Sequence, residues 1–120
     1  MDACNAVRLA PVTKEGRPMT YNVIFDVPAP IEMYDATHAA VREVVGKADL
    51  GLVVHIARAT DAGFEIVEVW RSKEAFDNFN LEFWPKVAAK IPGAAGMEAP
   101  QGRAFEVRGL IVAGNDDLAL

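Results

Sequence analysis

In the stretch VVHIARATDAGFEIVEVWRS (53–72) a histidine interrupts an apolar run, and a glutamate and a tryptophan follow after a turn. An imidazole titrates near neutrality, so His55 can take or give a proton at cellular pH. Glu68 beside it would fix the tautomer and raise its basicity. Trp70 offers a flat apolar wall, and Asn22 an amide able to steady an oxyanion. Together these types suit removal of a proton from a phenol or an activated carbon. Each also has a plain structural reading. His55 and Glu68 can pair inside an interface, burial explains Trp70, and Asn22 can bond a neighbouring side chain. Tyr34 and His38 lie four apart near the apolar face of a helix, where packing is the expected role. Tyr34 adds a hydroxyl if that helix borders a pocket. A metal site from His55, Glu68 and His38 has no spacing motif behind it, and none is expected.

Several elements must position these groups. MTYNVIFDV (19–27) alternates as a strand, and Pro30 after PAP can open a helix over 31–45 that Gly46 ends. LGLVVHIARA (50–59) and FEIVEVWR (64–71) form a hairpin through TDAG, which sets His55 opposite Glu68 or diagonal to it. Ser72 caps a second helix with Phe76, Phe79, Phe83 and Val87 on its buried stripe, and Pro85 demands a kink or restart. Residues 91–102 read as a binding loop or lid, and 104–113 as the last strand. The order strand–helix–strand–strand–helix–strand predicts an α+β, ferredoxin-like βαββαβ fold. Its four-stranded antiparallel sheet carries both helices on one face.

The bulky sets Tyr21/Val23/Phe25, Leu52/Val54/Ile56, Val67/Val69 and Phe105/Val107/Ile111 are expected under the helices. The other face then carries Asn22, Ile24, Asp26, Val53, His55, Phe64, Ile66, Glu68, Trp70, Arg108 and Leu110. Uncovered, that face would be a large apolar patch, so a homodimer is expected to close two sheets over a polar-dotted cavity. Ile24, Val53, Phe64, Ile66 and Arg108 are its candidate substrate-binding residues, with Trp70 and Tyr34.

The chain has 120 residues, about half of them apolar, with a net charge of -5. This is an ordinary globular composition for one domain over 19–113, with an extension at 1–18 and a tail at 114–120. Scattered cations among an excess of acids argue against nucleic acid as a partner. No apolar stretch approaches the roughly 20 residues of a membrane span, and the N-terminus lacks the apolar core of a signal peptide. With Cys4 the lone cysteine, a cytoplasmic location is expected.

The run GFEIVEVWRSKEAFDNF, with GLVVH before it, resembles the dimeric α/β-barrel superfamily and within it the antibiotic-biosynthesis-monooxygenase-type domains. Gly63, Trp70, Ser72, Ala75 and Phe76 carry the resemblance, which spans roughly 19–112. It implies a homodimer whose sheets close into an α/β barrel. Members include cofactor-free monooxygenases of aromatic polyketides, polyketide cyclases, lactone isomerases and haem degraders. Haem degraders resemble this chain at Asn22 and Trp70, but need a ligand histidine on the second helix, where LEFWPKVAAK has none. No cofactor is therefore expected. Cofactor-free oxygenases of this type use a pocket Asn and Trp with an acid–base residue, which Asn22, Trp70 and His55 would supply. The expectation is a monooxygenase of a small aromatic or polyketide-like molecule that begins with proton abstraction by His55, assisted by Glu68. The alternatives are a cyclase or isomerase in the same cavity, or a non-catalytic small-molecule-binding protein.

Overall fold

The computed structural model describes residues 7–9, 20–94 and 101–113. Most of the 1–18 extension, half of the 91–102 loop and the 114–120 tail lie outside the described residues. The elements run β1 (Val7–Leu9), β2 (Tyr21–Val27), α1 (Ile31–Val45), β3 (Leu52–Thr60), β4 (Gly63–Trp70), α2 (Lys73–Asn78), a π-helical turn (Phe79–Phe83), α3 (Trp84–Ala89), β5 (Arg103–Phe105) and β6 (Ile111–Ala113). β2 to β5 form one antiparallel sheet in the order β3-β4-β2-β5, the arrangement that a ferredoxin-like chain predicts.

Local chemistry explains most boundaries. α1 ends where Gly46 turns to φ 60°, with its N–H donating to the Arg42 carbonyl. The Ser72 hydroxyl accepts the Ala75 N–H at 3.1 Å and opens α2. Pro85 cannot donate a backbone N–H, so the second helix does not run through it. The chain widens into the π turn and restarts as α3, with Pro85 in the first turn.

Two expectations need correction. The last strand is not continuous over 104–113. β5 pairs with β2 over three residues, and β6 belongs to a separate two-stranded sheet with β1. Gly109, with no side chain to pack, lies in the break. The assignment of sheet faces holds for β2 and Leu52 but is reversed for the rest of β3 and for β4. Tyr21 stands opposite Trp70, Val23 opposite Glu68, Phe25 opposite Ile66 and Val27 opposite Phe64. These residues share one face, and His55, opposite Glu68, joins them. A bulge between Leu52 and Val54 brings Leu52 opposite Trp70 and sends Val54 and Ile56 to the other face. His55, Glu68 and Trp70 therefore look toward the helices. Asn22, Ile24, Asp26, Val67 and Val69 look away from them.

The core divides in two. Ala40 of α1 packs with Val87, Ala88, Ile91 and Ala94 below α3. Val23, Phe25 and Trp70 of the sheet pack with Leu52, Ile66, Phe76 and Phe79. Side chains of both clusters wall a cavity between the helices and the sheet.

Candidate functional site

The cavity encloses about 410 Å³, within the range of small-molecule sites. Its walls are mostly apolar and aromatic: Phe25, Phe64, Ile66 and Trp70 from the sheet, Met33, Val41 and Val45 from α1, and Phe76, Phe79 and Trp84 from the second helical stretch. The polar groups that line it include Tyr34, His38, Arg42, His55, Glu68 and Asn80.

Four of the wall residues form a continuous hydrogen-bonded chain. His55 Nδ1 lies 2.9 Å from Glu68 Oε2, and His55 Nε2 lies 2.6 Å from Tyr34 Oη. Trp70 Nε1–H donates to the other carboxylate oxygen, Glu68 Oε1, at 3.0 Å. An ionised carboxylate only accepts, so His55 carries its proton on Nδ1 and leaves Nε2 to accept the Tyr34 hydroxyl proton. The hairpin register produces this pairing directly, because Thr60 opposite Gly63 sets His55 opposite Glu68. The His55 and Glu68 side chains are 16% and 14% exposed, so their bond operates largely out of water. Both carboxylate oxygens are satisfied, which offsets part of the cost of burying the charge.

Tyr34 is wedged among rings. Its centroid lies 5.5 Å from that of His38, 5.8 Å from His55 and 5.8 Å from the edge-on Phe64. Burial first, and then the charges of Glu68 and Asp35, hold the phenol above its usual titration range. It is a hydroxyl, not a phenolate, at neutral pH. His38 Nε2 is buried with no hydrogen-bond partner. Trp70 is 2% exposed and packs against Phe76 and Phe79, so it anchors Glu68 more than it offers a free face to a ligand.

Of the residues expected from sequence, His55, Glu68, Trp70, Tyr34, Phe64 and Ile66 meet at the cavity. The rest do not. Asn22 lies on the opposite sheet face, where its Nδ2 donates to the Phe105 carbonyl at 3.1 Å and its Oδ1 accepts from the Thr20 hydroxyl at 2.8 Å. It pins β5 to β2 and is not placed to hold an oxyanion in this cavity. Ile24 shares that face, Val53 sits at the bulge, and Arg108 is exposed between β5 and β6. Sequence reasoning missed Arg42 and Asn80, and gave His38 a packing role alone. The signal available for α1 was the spacing Tyr34–His38–Arg42, a stripe at every fourth residue beside the apolar one. For Asn80 there was none, because a π turn changes which side chains face inward.

Among the described residues no group of three or more His, Cys, Asp or Glu side chains converges as metal ligands would, and no helix is long and apolar enough to cross a membrane. Comparison with protein-family models, with curated proteins and with solved structures finds no match to this chain.

Proposed function

We propose that the protein is an enzyme that removes a proton from a small, largely apolar aromatic or polyketide-like molecule held in this cavity. The observation that carries this reading is the chain Tyr34–His55–Glu68–Trp70, a relay with its tautomer set and its phenol among the cavity walls. His55 Nε2 is occupied by Tyr34, so the group that meets the substrate is the tyrosine hydroxyl. As the substrate proton passes to Tyr34 Oη, the tyrosine proton passes to His55 Nε2, and Glu68 stabilises the imidazolium. A neutral phenol suits this task, since it can accept one proton only by giving up its own. Run in reverse, the same chain returns a proton to a carbanion or enolate.

Within this reading the carbanion meets dioxygen, and a substrate methylene becomes a carbonyl with loss of water, without cofactor. The test is dioxygen uptake by purified protein with anthrones, naphthols and dihydroxyaromatics, comparing the native protein with Tyr34→Phe and His55→Ala. Uptake is expected to fall about 100-fold or more in both variants, the usual scale for a lost acid–base group. Undiminished uptake in either variant would refute the relay. Isomerised or cyclised product without uptake would assign the same proton transfer to an isomerase or cyclase. Tight binding of panel members with no turnover of any kind would leave a binding protein.

The reading includes a homodimer through the sheet face turned away from the helices. That face carries Ile24, Val54, Val67 and Phe105, and Ile56 is 54% exposed on it.

A further inference from the structure

Within the cavity, the hydrogen-bonding groups of the relay are already engaged with one another. Among the described residues Glu68 is the only acid on its walls, and both its oxygens are taken. Tyr34 and His55 bond each other, and the Thr37 hydroxyl donates to the Met33 carbonyl at 2.9 Å. Among the described residues Arg42 is the only lysine or arginine on the walls. Among the described residues it has no carboxylate within ion-pair distance, whereas Arg58, Arg71 and Arg103 each hold one at 2.6 to 3.0 Å. The helix itself cannot supply a partner: the neighbours three and four residues away are His38, Ala39, Val45 and Gly46. Arg42 is exposed and yet lines the cavity, so the residue stands at the rim, where an anion can arrive from solvent.

We infer that Arg42 recognises a carboxylate on the ligand, so that the substrate class is an apolar acid. This rests on the reading of the cavity as a substrate site and adds the second end of the molecule. Tyr34 and Arg42 are eight residues apart on α1, which at 1.5 Å per residue separates them by about 12 Å along the helix axis. The proton-losing atom and the carboxylate of the ligand therefore stand at opposite ends of an elongated, flat body, with the aromatic walls between. A guanidinium binds a carboxylate through two parallel N–H donors, which fixes orientation as well as adding affinity. A basic residue in the last turn of a helix also interacts with the helix dipole, a role that requires no ligand. The two roles differ in what they predict for binding.

The experiment is calorimetric titration with 4′-hydroxybiphenyl-4-carboxylic acid and with its methyl ester, which keeps the body and removes the charge. The native protein is expected to bind the acid about tenfold more tightly than the ester at low ionic strength, the worth of one charge-assisted contact. The preference should shrink with added salt. Arg42→Gln should abolish it without altering ester affinity, and Arg42→Lys should retain part of it. A dipole role alone would change melting temperature in Arg42→Gln and leave relative affinities untouched. Equal affinity for acid and ester in the native protein, a preference that survives Arg42→Gln, or binding of neither compound overturns the inference. Ester binding without acid preference would leave the cavity reading standing. Acid preference in a protein that turns over nothing would refute proton transfer alone.

Discussion

At Tyr34 the chemistry of one hydroxyl is set by its surroundings. The pKa is raised in the folded protein, first by burial and then by Glu68 and Asp35, so the fold favours the protonated phenol. Its contribution to stability is complete below the unfolded tyrosine value near 10 and is lost as pH rises through the higher folded value. Spectrophotometric titration should show a late-ionising tyrosine that Tyr34→Phe removes. Above pH about 10 that variant should lose stability less steeply than the native protein. A native protein in which Tyr34 titrates no later than a free phenol would contradict the burial described. Under the proposed relay Tyr34, expected from sequence as a pocket hydroxyl, stands at the end of the chain with His55 behind it, because Tyr34 Oη occupies His55 Nε2.

The hairpin β3–β4 and the broken second helix make the site. Gly63 keeps the two-residue turn in register, and a side chain there would collide with the Val27 carbonyl and lie 2.8 Å from the Ala29 nitrogen. Gly63 also has φ 155°, which side-chain-bearing residues rarely adopt. Gly63→Ala should cost about 2 kcal/mol or more in denaturant unfolding, since either the strand junction or the register must give. A cost near zero would mean that β2 and the turn move apart easily, and that the register pairing His55 with Glu68 is loosely held. β2, β3 and β4, α1 with its Gly46 end and the break in the second helix could be read from the chain, because turn and breaker residues act locally. The π turn, where the Trp84 N–H donates to the Phe79 carbonyl, could not, since FNLEF holds no breaker or turn residue that marks it.

For the whole molecule, the division of the core into two clusters leaves room for a ligand, and the helix-averted sheet face leaves room for a second copy. Ile56 lies near the middle of β3 on that face and is 54% exposed. Under the homodimer reading, Ile56→Asp should shift the native protein from dimer to monomer in sedimentation equilibrium while circular dichroism stays unchanged. A native protein that sediments as a monomer at all accessible concentrations would remove the dimer from the proposal. The membership of the averted sheet face differs from the one expected from sequence. Phe64, Ile66 and Trp70 are under the helices, and Val54, Ile56 and Val67 take their place outside.

By itself the sequence determined the order from β2 to α2, the antiparallel hairpin, both ends of α1, the Ser72 start of α2 and the adjacency of His55 and Glu68. All of these follow from local preferences and from the two-residue period of a strand. Only the tertiary structure decided which sheet face meets the helices. That choice depends on how β2 and β4, distant in sequence, align: Tyr21 opposite Trp70 places the two bulkiest sets on one side, and one residue of slip would exchange the faces. With that alignment Asn22 turns away from the cavity to bond the Phe105 carbonyl, and His55 turns toward α1 and the Tyr34 hydroxyl.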